Sequence, residues 1–306
     1  MKAAFIEQHG GPEVLKYGDL PDPVAGPGEV VVDVVAASVN GADWKVRAGQ
    51  YKQSKFPYAL GRDFSGVVSA VGEGITDFKV GDAVFAVCEA GQEGAYAEKI
   101  AIKAAIVARK PDRLSHVNAA ALALTGLTAM SAIEDTLKLQ PGETILIQGG
   151  AGGVASLAVQ LAKHIGAHVI TTASAKNHDY VKKLGADRIV DYQKEDFSKL
   201  GRICDVVFDT VGGEVQVRSY DVLKPGGRLV WIAAAPAGFK PSRDDVQVLR
   251  PKVDRDRSHL DRMAELLAAG AVWPPAITRY KLSDAAEAHR VSEGRHLQGK
   301  LVLEVG

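Results

Sequence analysis

The rhythm of apolar and polar positions changes twice along the 306-residue chain. Early on, Val-rich runs of β character fill 29–39 (EVVVDVVAASV), 66–71 (GVVSAV) and 83–87 (AVFAV), parted by the turn signals VAGPG and KVGD. From Thr144 short apolar runs alternate with helical patterns: TILIQ, a helix over 152–165, AHVITT, a helix over 177–184, RIVD, DVVFD, a helix over 214–223, and RLVWIA. That alternation predicts βαβ units and a doubly wound parallel sheet covered on both faces. The tail changes pattern again, with helices over 258–269 and 283–292 and a strand in LVLEV. The expected architecture is α/β. A β-rich domain (1–118) is interrupted by a nucleotide-binding domain (119–255) and completed by a returning segment (256–306).

The most apolar stretch, 117–133, is interrupted by Thr125, Thr128 and Ser131 and is short for a membrane span, so it reads as a buried helix. Composition agrees with a globular chain: 46% hydrophobic and 24% charged. Lys+Arg and Asp+Glu both number 37, and no basic stripe with interleaved aromatics occurs, which argues against nucleic acid or an acidic membrane as partner. Two cysteines, Cys88 and Cys204, build no disulfide framework and fit a reducing compartment. The opening MKAAFIEQHGGPEV lacks the features of a signal peptide, and a cytoplasmic location is expected.

Chemistry enters at QGGAGGVA. Gly150, Gly152 and Ala155 fit G-x-G-x-x-G/A directly after a strand and at the start of a helix. In this reading Gly150 permits the tight turn and Gly152 lets the backbone approach a pyrophosphate. Ala155 is small enough for helix–strand packing, and the helix N-terminus offers free N–H groups. NAD-binding versions place an acid about 20 residues on, at the end of the second strand, to hold the ribose 2′-hydroxyl. Here that position falls in 170–176 (ITTASAK), which holds Ser174 and Lys176 and no acid. A hydroxyl and an ammonium receive a 2′-phosphate that a carboxylate would repel, so the expected cofactor is NADPH. The plainer alternative makes Ser174 and Lys176 ordinary loop residues.

Further stretches carry a resemblance over nearly the whole chain: GGPEVL, SVNGADWKVRAGQY, GRDFSGVVSAVG, VGDAVFA, GAYAEKI, LTGLTAMSAI, GGAGGVA, KKLGADRIVDY, LKPGGRLV and QGKLVLEV, in this order. The chain resembles the medium-chain dehydrogenase/reductase superfamily, and in particular its zinc-independent quinone oxidoreductase family. The resemblance implies a GroES-like catalytic domain, an inserted Rossmann domain and a cleft between them. Zinc-dependent members bind catalytic zinc through Cys, His and Cys; the matching positions here are Asn40, Arg62 and Thr125. The region matching their four-cysteine structural lobe, CEAGQEGAY, has one cysteine. No metal is therefore expected. The eight histidines are scattered, and Cys88 reads as an apolar filler.

Without a Lewis acid, a quinone or conjugated enone is the easier hydride acceptor, because its π-system spreads charge onto an oxygen that a donor can stabilise. The resemblance implies that Asn40 and Tyr51 line the substrate pocket. Asn40 would donate to the substrate oxygen, and Tyr51 would either donate or relay a proton or simply pack a loop. Asp43 and Asp63 would either orient neighbours or cap turns, with capping the first reading for both, and Arg62 either neutralises Asp63 or reaches the cofactor. For the cofactor, it implies Thr128 near the nicotinamide and Gly152, Gly153 and Val154 at the pyrophosphate. Tyr192 would lie beside the adenosine phosphate, Thr210, Val211 and Gly212 and Ile232, Ala233 and Ala234 at strand ends, and Lys300 closing the cleft. Relatives pair through the edge of the Rossmann sheet, and 246–253 (VQVLRPKV) reads as that strand, so a homodimer is expected, with Pro251 weakening the ladder. Pocket shape is set by loops such as 50–56 and 236–246. Two other functions stay open: an alkenal or enoyl-thioester double-bond reductase, and a non-catalytic NADPH-binding sensor or structural protein.

Overall fold

The computed structural model describes residues 1–51 and 55–306; the part of the expected pocket loop at 52–54 lies outside them. The chain divides into two compact units. One comprises Met1–Leu124, Arg255–Glu265 and Pro274–Gly306; the other comprises Thr125–Asp254 and Leu266–Trp273. The first boundary falls six residues beyond the expected 118/119, inside the helix His116–Met130, which runs through it unbroken. The second falls at 254/255. The returning segment does not belong wholly to the first unit, because Leu266–Trp273 joins the second. A reciprocal pair anchors it there: Trp273 N–H donates to Gln160 Oε1 (2.8 Å) and Gln160 Nε2 donates to the Trp273 carbonyl (3.3 Å).

The first unit is built on the strand Glu29–Val39. Its apolar, Val-rich run is buried on both faces over most of its length, with only Asp33 and Val35 exposed, and neighbours pair along both edges. Asp63–Val71, Lys99–Lys103 and Lys300–Glu304 all run antiparallel to it. The C-terminal strand thus returns across the length of the chain, setting Leu301 opposite Val39. Val30, Val32, Phe64, Val84, Leu301 and Leu303 are fully buried in one core. Sequence patterning missed Lys2–Ile6, Ile277–Lys281 and several short strands, which carry too few alternating residues to stand out.

The second unit is a six-stranded parallel sheet. Its spatial order is Arg188–Val190, His168–Thr172, Thr144–Ile147, Cys204–Asp209, Leu223–Trp231, Gln247–Leu249. This is the doubly wound order 3-2-1-4-5-6, with its switch point between Thr144–Ile147 and Cys204–Asp209. Two expectations change in detail. The helix expected over 214–223 stops at Ser219 and tightens into a 3₁₀ turn, Tyr220–Val222, because Tyr220 and Val222 turn into the core. The edge strand shrinks to Gln247–Leu249, two residues short of the proline at 251 that has no N–H for the ladder. The apolar helical stretch His116–Thr136 is long enough by length and composition to cross a membrane, but 83% of its most apolar 18-residue window is buried within the fold.

Candidate active site

In the parallel sheet all strands point one way, so the loops after their carboxyl ends gather at one edge, where open α/β sheets bind ligands. The loop after Thr144–Ile147 is held by side chains of its neighbours. Gly149 N–H donates to Thr172 Oγ1 (2.9 Å) and Thr172 Oγ1 donates to Gln148 Oε1 (2.8 Å). Gly150 N–H donates to the Thr172 carbonyl (2.9 Å). The expected assignment of the glycines needs correcting. The tight turn is made by Gly149, whose φ of 72° is the left-handed value. Gly150 serves close packing, since a Cβ there would lie 2.1 Å from Thr171 Oγ1. Gly152 precedes the helix Gly153–Ile165 and no side chain caps that end. The first-turn N–H groups, including those of Gly153 and Val154, are therefore available to an anion.

Of the remaining predicted cofactor residues, Ser174, Lys176, Tyr192 and the turns at 210–212 and 232–234 follow strand ends of this sheet, whereas Thr128 lies in a helix and Lys300 belongs to the first unit. Ser174 is buried after His168–Thr172, with its hydroxyl 3.4 Å from Asn177 Nδ2, while Lys176 is exposed. Tyr192 is exposed after Arg188–Val190. Asp209, fully buried, accepts from the N–H groups of Val211 (2.9 Å) and Gly212 (3.0 Å), shaping the turn at Thr210, Val211 and Gly212. Gly213 N–H donates to the Ala234 carbonyl (2.8 Å), tying that turn to Ile232, Ala233 and Ala234. Thr128 is buried in the helix His116–Met130. Sequence reasoning missed Gln148 and Thr172. Their signal was a polar residue closing each of the short apolar runs ILI and VI, at the ends of TILIQ and HVITT.

The first unit holds a different site, a buried cluster of charged groups. Asn40 ends the strand Glu29–Val39 and precedes the helix Gly41–Arg47, where its N–H donates to Asp43 Oδ2 (2.8 Å). Its side chain is gripped at both ends: Nδ2 donates to Asp63 Oδ1 (2.8 Å), and Oδ1 accepts from Lys300 Nζ (2.7 Å). Asp63 is no turn cap. Fully buried at the start of its strand, it also accepts from Ser38 Oγ (2.8 and 2.9 Å) and from Leu124 N–H (3.1 Å). Asp43 also accepts from Tyr96 Oη (3.0 Å), and the Tyr96 oxygen lies 3.3 Å from His289 Nε2. Arg62 does not pair with Asp63. Its guanidinium sits 3.6 Å from Asp43 and 3.1 Å from Glu93, and 5.7 Å from the centre of the Tyr51 ring. Tyr51 itself is half exposed.

Three carboxylates (Asp43, Asp63, Glu93) thus share two cations, Arg62 and Lys300. Burial pushes Asp43 up to about 6, opposed by Arg62, and also raises Asp63, opposed by Lys300. Burial pulls the Lys300 ammonium down, opposed by Asp63 and Asp43. Of the matched zinc positions, Asn40 and Arg62 are committed to these bonds, and Thr125 is buried in the other unit. Among the described residues no group of three or more His, Cys, Asp or Glu is placed to hold a metal ion. Cys88 is buried, and burial pushes its thiol far up, which leaves it inert as a nucleophile.

A GroES-like antiparallel sheet, interrupted in sequence by a doubly wound sheet with a glycine-rich first turn, defines a medium-chain dehydrogenase/reductase. Comparison with known proteins agrees. Residues 26–112 match the alcohol dehydrogenase GroES-like domain and 184–303 a zinc-binding dehydrogenase family. The chain is 35% identical to the NADPH-dependent alkenal/one oxidoreductase of Arabidopsis thaliana chloroplasts, over 99% of this chain and 79% of that one. It is 33% identical to a quinone oxidoreductase of Pseudomonas aeruginosa, over 96% and 97%. The crystal structure of Escherichia coli quinone oxidoreductase complexed with NADPH superposes with a TM-score of 0.91 at 30% identity, covering 99% of this chain and 100% of that one. The chain belongs to the zinc-independent quinone oxidoreductase family of the medium-chain dehydrogenase/reductase superfamily.

Proposed function

We propose that the protein is an NADPH-dependent oxidoreductase that delivers hydride to a quinone or a conjugated enone. The observation that carries this reading is what fills the matched zinc positions. Asn40 is gripped between Asp63 and Lys300, and Arg62 is paired with Asp43 and Glu93, so these positions hold a hydrogen-bonded charge cluster in which the Lys300 ammonium, bonded to Val39 and Asn40, keeps a third donor. Donors suffice for an acceptor that spreads incoming charge through its own π-system. The names of the Arabidopsis and E. coli relatives support the same chemistry.

The residues fit the cofactor. The uncapped helix start at Gly152 and Gly153 suits a pyrophosphate, and Ser174 with Lys176, in place of a carboxylate, suits a 2′-phosphate. NADPH, when bound, supplies the hydride. Thr172 and Gln148 hold the phosphate loop in shape, and Asp209 holds the turn beside it. The Arabidopsis relative also favours a second reading, reduction of the double bond of an alkenal. A homodimer through the edge at Gln247–Leu249, whose outer side has no partner strand among the described residues, is part of the proposal, and light scattering at micromolar concentration tests it. So is a reducing, cytoplasmic setting, which two buried free thiols suit.

The test is NADPH consumption with p-benzoquinone and with methyl vinyl ketone, with NADH in parallel and with a chelator present. We expect turnover with NADPH that survives the chelator. Tight NADPH binding with no consumption by any acceptor would instead identify a non-catalytic nucleotide-binding protein.

A further inference from the structure

We propose that Lys300 is the acid of this reaction: its ammonium donates to the acceptor oxygen and passes it a proton as hydride reaches carbon. The inference rests on the quinone or enone reading above. Lys300 is only 6% exposed, and its Nζ donates to the Val39 carbonyl (2.7 Å) and to Asn40 Oδ1 (2.7 Å). An ammonium carries three donors. Two are spent and point in fixed directions; the third has no acceptor among the described residues. Asn40, expected to meet the substrate oxygen, is instead committed at both ends of its amide. Its second N–H is left only longer contacts, such as that to the Ser38 carbonyl at 3.3 Å. Asn40 is thus a positioning residue, aiming an ammonium whose remaining N–H is the strongest donor in the cluster.

The charged and titratable groups around Lys300 are Asp63 and Asp43, with Arg62, Glu93 and Tyr96 beyond Asp43. The two carboxylates keep the lysine charged while burial lowers its hold on the proton, the balance a general acid needs. In the step, hydride forms a C–H bond at the acceptor and the displaced π pair moves to oxygen. The oxyanion then takes a proton from Nζ: an O–H bond forms, an N–H bond breaks, and the neutral amine is reprotonated by water. A quinone gives a hydroxydienone, which aromatises to the hydroquinone as the carbon that took the hydride loses a proton to water and the second carbonyl oxygen takes one from water; an enone gives the enol, which tautomerises to the saturated ketone. The acceptor is reduced, and NADPH is the reductant.

The two acceptors differ in how much they need the acid. The oxyanion formed from a quinone is conjugated with the remaining carbonyl and is a weak base that can leave and find its proton in water, whereas a simple enolate is a far stronger base. Lys300→Met should therefore lower kcat about 100-fold with methyl vinyl ketone and about tenfold or less with p-benzoquinone. KM for NADPH should stay unchanged. Lys300→Arg keeps the charge but holds its proton too tightly, so it should stay slow with the enone. A merely structural lysine would give equal losses with both acceptors and recovery in Lys300→Arg, and that result overturns the proposal. If Lys300→Met does not fold, wild-type protein decides. Its enone kcat should fall as pH rises through the lowered lysine pKa and should show a normal solvent deuterium isotope effect. A flat alkaline profile without an isotope effect overturns the assignment. Wild-type protein that reduces neither acceptor overturns the functional reading, and this one with it.

Discussion

The two units solve the problem of holding a reactive site in opposite ways. The nucleotide loop is held by neutral hydrogen bonds and close contacts: Thr172 steadies Gly149, and Thr171 fills the space beside Gly150. Its working groups are backbone N–H donors, whose geometry the helix and sheet fix. The cluster in the β-rich unit is held by charge. Asp43, Asp63, Glu93, Arg62 and Lys300 lie largely out of water and are kept there by one another and by Ser38, Asn40 and Tyr96. A backbone cradle can lose one contact and keep its shape. A buried charge network cannot lose one member without stranding the others.

The largest effect expected from this contrast is on stability. Asp63→Ala removes the acceptor of Ser38, Asn40 and Leu124 N–H and leaves Lys300 without its main counter-charge. Breaking a buried pair by removing one partner costs about 3–5 kcal/mol. Urea unfolding at neutral pH should show a loss of that order for Asp63→Ala. Adding Lys300→Met should restore part of it, because the stranded ammonium is gone. A single-variant loss below about 1 kcal/mol would mean that water or a rearranged partner replaces the carboxylate.

The glycine loop should yield less, and in two separable ways. At Gly150 a methyl would press on Thr171, a short side chain on a buried strand that cannot swing aside. Overpacking of this kind costs about 1–3 kcal/mol, so Gly150→Ala should unfold earlier on heating. At Gly152 the only atom near a new Cβ among the described residues is the Gly149 carbonyl oxygen, at 3.3 Å. Gly152→Ala should therefore melt near the wild-type temperature and lose NADPH affinity in a fluorescence titration, since its methyl occupies the approach of the pyrophosphate. If both variants lose stability alike, the two glycines do not have the separate roles assigned to them.

The same contrast explains what could be read before the fold was known. The loop is contiguous, and its strand, turn and helix start all carry local signatures, so its place and its missing acid were legible from 148 to 176. Even there the turn was assigned one residue late, because sequence does not show which of two adjacent glycines takes the left-handed conformation. The charged cluster had no such signature. Asn40 and Lys300 meet across 260 positions, because the last strand pairs with the strand that Asn40 ends. From sequence Asp63 reads as a turn cap or as a residue that orients its neighbours, and Arg62 as a partner of Asp63 or of the cofactor. Register decided otherwise, turning Asp63 inward onto Ser38 and Asn40 and leaving Arg62 to Asp43 and Glu93. Pairwise chemistry between distant strands is set by pairing register, which a one-residue slip reverses.

The smallest expected effect lies at the far end of the loop, where a charge stands exposed. Lys176 is open to solvent, whereas Ser174 beside it is buried and within reach of Asn177. A 2′-phosphate held there would gain a charge-assisted contact from Lys176, which water and salt weaken more than any bond in the buried cluster. Lys176→Ala should raise the Kd for NADPH by a factor on the order of ten at low salt. The Kd for NADH should hardly move, because NADH has nothing at that position. The wild-type preference for NADPH should shrink as salt rises, while the Asp63→Ala stability loss should hardly change, because mobile ions do not reach that carboxylate. Ser174→Asp should turn the preference toward NADH by restoring the acid that holds a ribose hydroxyl. Equal affinity of wild-type protein for NADPH and NADH at low salt would make the missing acid irrelevant to cofactor choice and return Ser174 and Lys176 to the rank of ordinary loop residues.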